Sequence, residues 1–128
     1  MPIERHTDPS NTLTILTATG ELTPDDFMEI VTAFKEDPPA LNILWDFREA
    51  YPADSFRSGN TMEIAALSKS AIGSRRDGKT AYLATSELVF GMCRMFTTQL
   101  DVRGALHKTM VFDEMDKALK WLSGENGS

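Results

Sequence analysis

Lys79-Thr-Ala-Tyr-Leu-Ala84, followed by Thr85-Ser86 and then Glu87 to Leu100, decides how this chain folds. The first six residues form a short, mostly apolar run of strand length. Thr85 and Ser86 carry hydroxyls of the kind that accept backbone N–H bonds where a helix starts. The segment after them is apolar at Val89, Phe90, Met92, Met95, Phe96 and Leu100, which is helical spacing. The pattern then repeats. Leu106-His-Lys-Thr-Met-Val-Phe112 reads as a second strand, and Asp113-Glu-Met-Asp116 opens a helix that places Met115, Ala118, Leu119 and Leu122 on one face. Strands alternating with amphipathic helices imply a sheet with mostly parallel neighbours.

The same alternation extends toward the N-terminus. Asp77-Gly78 marks a turn over residues 73–78, and a helix precedes it from Asn60 to Ile72 with Ile64, Leu67 and Ala71 inward. Arg48 to Gly59 reads as a polar loop. Leu41-Asn-Ile-Leu-Trp-Asp-Phe47 is almost continuously apolar, the signature of a central strand covered on both faces. Pro38-Pro39 stops the helix before it. That helix has the sharpest start in the chain: Thr23 as N-cap, Pro24 at the first helical position, and Asp25 and Asp26 facing the positive end of the dipole. Leu22 and Phe27 occupy the two positions of a hydrophobic staple. Phe27, Ile30, Val31 and Phe34 form its buried stripe. Ile3 to His6 and Leu13 to Thr19 read as a hairpin joined by turn-forming Asp8-Pro-Ser-Asn11, with Gly20 ending the second arm. The expected order is β-β-α-β-α-β-α-β-α. It makes one α/β domain over residues 1–124, with 125–128 as a frayed tail. Right-handed crossovers are expected to place helices on both faces of the sheet. Ligands in such sheets bind beyond the carboxyl ends of the strands, here at Arg48 onward, Thr85-Ser86 and Asp113-Glu114.

Composition narrows the function. A chain of 128 residues buries enough surface to fold without disulfide or metal staples. Apolar residues at 41% and charged residues at 25% are those of an ordinary globular protein, which weighs against disorder. The formal net charge of −6 argues against nucleic acid, whose phosphates need a basic surface. The basic spot at Arg75, Arg76 and Lys79 sits beside Asp77-Gly78 and reads as a solvated turn. No apolar run reaches membrane-spanning length, so no membrane insertion is expected. The N-terminus lacks a signal-peptide core, and the lone Cys93 has no internal disulfide partner. These features point to a reducing, cytoplasmic setting.

Four segments together resemble the SpoIIAA-like group, which contains STAS domains and is related in fold to the Sec14 lipid-binding domain. They are Gly20-Glu-Leu-Thr23, Leu44-Trp-Asp-Phe-Arg48, Ser86 to Met95, and Val111 to Leu122, the last with its Val-Phe…Ala-Leu-x-Trp-Leu pattern. The small single-domain bacterial STAS/SEC14-like proteins are the nearest resemblance, over nearly the whole chain. It implies a layered fold with a mixed, mostly parallel sheet flanked by helices. It also implies a regulatory role through protein contacts. Anti-sigma-factor antagonists of the wider group are phosphorylated on a Ser or Thr in an Asp-Ser-Ser/Thr-Gly run where the central strand passes into the second helix. Here Asp54-Ser-Phe-Arg-Ser-Gly59 occupies that region with two inserted residues, which makes Ser55 and Ser58 candidate phosphosites. Phosphate on Ser58 would dock on the N–H groups opening the second helix. Sec14 proteins carry extra helices that shape a large lipid pocket, and 128 residues leave no room for them.

No catalytic set stands out. Cys93 lies mid-helix among Val89, Met92 and Phe96, a place for a small buried hydrophobe rather than a nucleophile. His6 and His107 have no zinc-like spacing, so no metal and no cofactor is expected. Asp46 and Arg48 end the central strand on one side of it. Asp46 serves either a ligand or loop amides, and the latter is its commoner use. Ser86 reads as an N-cap before it reads as an anion site. The Glu87 to Leu100 helix has more apolar residues than one buried stripe needs, with Phe90 and Met95 flanking Arg94. Such a surplus suits a partner surface, including a homodimer through residues 87–100, or a helix buried deeper than average. Gly91 in its interior reads as a close approach by a neighbouring element. Asp46, Arg48, Ser86, Phe90, Arg94 and Met95 are therefore the candidate ligand or partner surface. Three functions remain open: a non-catalytic regulatory or sensing module acting on an unknown protein partner, a binder of a small apolar or lipid-like molecule between the Met- and Phe-rich helix, Trp45 and Tyr82, and an enzyme. The enzyme would need Asp46, Arg48, Ser86 and Arg94 to converge.

Overall fold

The structure is a computed structural model. It describes all residues except 1, 2, 11, 57, 73–77, 103, 105–107 and 125–128, and only the backbone of 58, 59, 61, 71 and 72. Five strands and four helices alternate as β1 Ile3–Thr7, β2 Leu13–Leu22, α1 Pro24–Ala33, β3 Asn42–Pro52, α2 Ser58–Ile72, β4 Lys79–Leu83, α3 Glu87–Val102, β5 Lys108–Phe112 and α4 Met115–Ser123. The strands lie side by side in chain order, β1 antiparallel to β2 and every other pair parallel. The expected element order and mixed sheet are present. Arg75, Arg76 and His107 lie outside the described residues.

Chain order of the strands decides where the helices go. Each parallel crossover moves one strand in the same direction, and a right-handed crossover then always rises on the same side. Accordingly α1, α2 and α3 all pack on one face, through Phe27, Ile30, Val31 and Phe34, Leu67, and Val89, Cys93 and Phe96. They meet Leu16, Ala18, Ile43, Trp45, Phe47 and Tyr82. Crossovers do not populate both faces, as the sequence implied. The second face is covered by α4, which follows the last strand and crosses to nothing. Its Met115, Ala118, Trp121 and Leu122 pack on Leu44, Ala81 and Leu83. Ile43 to Phe47 are all buried between these layers, which makes β3 the middle strand, while Leu41 is exposed and precedes it.

Two strands run further than their apolar runs. Thr17 pairs with Asp46, but Thr19 pairs with Glu49, so β3 carries one extra residue. Beyond this bulge the pairing resumes through Gly20–Ala50 to Leu22–Pro52. Residues 48–52 are therefore strand, not loop, and Gly20 (φ +73°) does not end β2. The polar look of Arg48 and Glu49 reflects their outward position on the sheet.

Local chemistry places the ends. Thr23 Oγ1 accepts the Asp26 N–H at 3.3 Å and Asp26 Oδ2 accepts the Thr23 N–H at 2.8 Å, a reciprocal capping box. The β1–β2 turn is organised by Asp8, which accepts from the Thr12 hydroxyl (2.7 Å), the Leu13 and Thr12 amides (3.1 and 2.8 Å) and the Ser10 hydroxyl (2.9 Å). The Thr12 hydroxyl, then the amides and Ser10, hold its carboxyl down at about 2. A carboxylate depressed in the fold stabilises it above the ordinary carboxylate range and loses that contribution as pH falls through about 2. Stability of the native chain will therefore fall more steeply than that of Asp8→Asn between about pH 4 and 2, in chemical denaturation at stepped pH. Parallel pH profiles would refute the role given to the turn.

Candidate functional site

An apolar cavity of about 80 Å³ lies between the sheet and the three crossover helices. Trp45, Phe47 and Tyr82 form its floor. Val31 of α1 and its C-cap Phe34, Ile64 and Ser68 of α2, and Met92, Cys93 and Phe96 of α3 form the walls. Strand alternation sends Trp45 and Phe47 to this face, where their rings stack at 5.6 Å and 19°. Phe27 tilts against both, at 5.6 and 5.9 Å, and meets Phe56 edge-on at 5.7 Å. Tyr82 meets Phe96 edge-on at 5.8 Å. The space has a visible cause. The bulge brings the small side chain of Ala50 into the lining and pairs Ala50 with Gly20, on which an added Cβ would meet nothing within 4 Å. Burial in these apolar surroundings pushes the Cys93 thiol up to about 12, which leaves it unreactive as a nucleophile.

Exposure locates the mouth. Phe34 and Leu100 close one end and are almost fully buried, whereas Pro52 and Phe56 are half-buried and Tyr51 is 56% exposed. The cavity thus opens at the carboxyl end of β2 and β3, where the β3–α2 connection leaves the sheet. Several acidic residues adjoin the lining in sequence, but Asp26 Oδ2 is taken up by the Thr23 N–H, and Glu49 acts on Arg48, which bonds Asp46 on the opposite face. The one described cation among these segments, Arg48, is committed elsewhere. Its Nε and Nη2 donate to the two oxygens of Asp46 at 3.0 and 2.9 Å, and its backbone N–H donates to Oδ1 at 3.1 Å. Burial pushes the Asp46 carboxyl up, but these bonds and the guanidinium charge outweigh it and hold the group below its ordinary value. The bond to Asp46 likewise raises Arg48. Asp46 pairs with Thr17 on the face opposite the cavity, so this ion pair sits across the sheet from it.

The remaining candidate residues are scattered. Ser86 Oγ accepts the Val89 N–H at 3.2 Å and caps α3. Ser55 is exposed in the turn after β3, and Ser58 opens α2 with a side chain outside the described residues. Phe90 is half-buried against the first core, while Arg94 and Met95 are exposed on α3. The structure joins Asp46 to Arg48, while Ser86 is engaged as the cap of α3 and Arg94 lies exposed on that helix. No neighbour lies within 4 Å of a Cβ built on Gly91, so close approach does not account for that glycine. The exposed apolar residues of α3 are Leu88 (63%), Met95 and Val102 (82%), recurring every seventh residue and so along one side of the helix. Leu88 and Val102 were not singled out in the sequence, because apolar residues occupy most of this helix. Trp45 and Tyr82 do line the cavity, with Met92, Cys93 and Phe96 from the helix set beside them in the sequence reading.

No protein-family model and no curated protein sequence matches the chain. Solved structures do. An uncharacterised DUF3478-family protein of SpoIIAA-like fold from Shewanella loihica PV-4 superposes with a TM-score of 0.57 at 14% identity, over 94% of this chain and 91% of that one. The anti-sigma factor antagonist SpoIIAA in its unphosphorylated form gives 0.58 at 15% identity, over 95% and 96%. The phosphorylated form of SpoIIAA, the Bacillus cell fate determinant, gives 0.54 at 13% identity, over 94% and 98%. The class is thus an α/β sheet of mostly parallel strands with helices on both sides. More particularly, the fold is SpoIIAA-like, as the sequence resemblance implied. Among the described residues no helix is long and apolar enough to cross a membrane.

Proposed function

We propose that this protein is a non-catalytic sensing module that binds a small apolar molecule between its sheet and crossover helices and passes the bound state to a protein partner. The cavity carries this reading. Well-packed interiors leave few voids larger than a water molecule, and here one is lined by aromatic rings and open at a strand's carboxyl end, where α/β sheets receive ligands. The partner contact in this reading falls on the outer side of α3, along Leu88, Met95 and Val102, a second copy of the chain included. The same helix supplies Met92, Cys93 and Phe96 to the cavity, so a ligand that shifts it also shifts that surface. The likeness in fold to an anti-sigma factor antagonist supports the regulatory half.

The test is native mass spectrometry of protein isolated from its own cells, beside Cys93→Leu, which adds side-chain volume inside the cavity. The wild type should carry a bound mass released on unfolding. The variant should lose it while still unfolding cooperatively, its stability lowered by no more than the about 1–3 kcal/mol that extra methylenes cost in a packed interior. A bound mass retained by the filled variant would place the ligand elsewhere and end the reading.

A further inference from the structure

We propose that the open edge of β5 is an interaction surface whose occupant is β5 of a second copy of this chain, paired antiparallel about a two-fold axis at Met110. The backbone sets the surface. The Lys108 N–H donates to the Gly78 carbonyl, and the Ala84 N–H donates to the Phe112 carbonyl. Residues 108, 110 and 112 therefore turn their backbone groups toward β4. Alternate residues of a strand turn them the other way. The N–H and C=O of Thr109 and Val111 thus point to the side where, among the described residues, no further strand lies. The two edges of the sheet differ in their protection. β1 carries the ionisable Glu4, Arg5 and His6 among its five residues, the dressing that keeps an edge from pairing. β5 is equally short and carries Lys108 alone. Met110 is 48% exposed beside that edge.

The strand is complementary to itself in one register. Pairing about Met110 sets Thr109 opposite Val111 of the second copy, and Val111 opposite its Thr109, so every outward N–H and C=O of these residues finds a partner. A centre at Thr109 or at Val111 would set the other of the two against a residue outside β5. Met110 lies on the face covered by α4, since it pairs with Ala81. There the two Met110 side chains meet across the axis, with Cβ atoms about 4.5–5.5 Å apart, and the thioether adapts to its neighbour. Lys108 falls opposite Phe112 of the second copy and not opposite its Lys108. Phe112 lies 5.6 Å from Trp121, and these rings attract an ammonium group, as Lys79 already shows over Trp121 in its own chain. On the other face the β-branched Thr109 and Val111 meet. This sequence supplies both sides of each contact, which commits the edge to a second copy. The contact is isologous and uses up both β5 edges, so assembly closes at a dimer. A contact of five residues a side falls below the ~1,200 Å² of a standard stable interface, so the dimer is weak and reversible.

Sedimentation velocity of the full chain is the test, in salt of ~0.3 M to screen the repulsion between two chains of net charge −6. Between ~10 µM and ~1 mM protein the boundary should move from monomer to dimer, with a dissociation constant on the order of 0.1 mM. Met110→Lys sets like charges face to face across the axis and should weaken association about tenfold or more, with the urea transition of the fold kept. Met110→Glu should do the same, and an equimolar mixture of the two variants should recover a heterodimer. Leu88→Lys, on the outer side of α3, should leave the dimer unchanged. A chain that stays monomeric at the highest concentration overturns the proposal, as does a dimer untouched by Met110→Lys or a Lys–Glu mixture that stays monomeric. Loss of the dimer in Leu88→Lys alone overturns it by moving the second copy to α3. An unrelated extended peptide that shifts the β5 amides of a chain still monomeric overturns the second copy as occupant. None of these outcomes bears on the cavity, whose occupancy is read separately by bound mass.

Discussion

A chain ended at Asp113 will show no cooperative unfolding transition, although the deletion removes only the last element. Tolerance of truncation follows burial rather than position in the sequence, and α4 is what covers the second face of the sheet. Leu44, Ala81 and Leu83 beneath it are fully buried, and its own Ala118 and Leu122 are buried with them. Its end is also fastened. Asn42 Nδ2 donates to the Leu122 carbonyl at 3.2 Å, and Lys79 Nζ donates to the Trp121 carbonyl at 2.8 Å while lying 5.4 Å from the Trp121 ring centre. At about 1.5–3 kcal/mol for each large apolar side chain returned to water, exposing Leu44 and Leu83 and losing Trp121 and Leu122 costs about 6–12 kcal/mol. The whole stability of a domain is about 5–15 kcal/mol. Circular dichroism against urea should therefore trace a shallow, featureless decline for the truncated chain and a sigmoid for the full one. A sigmoid of unchanged steepness in the truncated chain would mean that the second face is covered by something else.

The sequence was most legible where one local rule acts alone. The capping box at Thr23 and Asp26 places the start of α1, and the run of Ile43 to Phe47, apolar except at Asp46, reveals a strand buried on both sides. The layout of the helices depends instead on strand order, which no local pattern contains. Only once the strands are known to follow one another does a single crossover hand put α1 to α3 together. The β3 extension was hidden because a bulge interrupts the alternation at residues 47–49 and the next residues face solvent, so a strand resembles a polar loop. On α3 apolar residues surround the helix, and composition cannot say that Phe90 turns inward while Leu88 turns out. The cavity was partly visible, since Trp45, Tyr82 and the Met-rich helix were set side by side. One small side chain of its lining, Ala50, reaches that face only through the shifted register.

Trp45→Ala will lower stability by about 3–5 kcal/mol, the usual cost of removing a large buried aromatic, and will make the protein responsive to free indole. Trp45 is 5% exposed, stacked on Phe47 and tilted on Phe27, so the ring leaves both hydrophobic and ring–ring contacts behind. It forms cavity floor as well as core. Its removal therefore joins the vacated volume to the cavity already present, in place of a sealed void. An apolar ring entering from the mouth can then reoccupy the site. A ligand that binds only the folded state at ten times its Kd restores about 1.4 kcal/mol, so the urea midpoint of the variant should rise with indole while that of the wild type moves less. Leu16→Ala is the control, because Leu16 is fully buried on the same face but does not line the cavity. It should lose about 2–5 kcal/mol and gain nothing from indole. Rescue of neither variant would mean that the space beside Trp45 has no path to solvent, and equal rescue of both would mean that indole enters without the Tyr51–Phe56 opening; either outcome removes the role given to it.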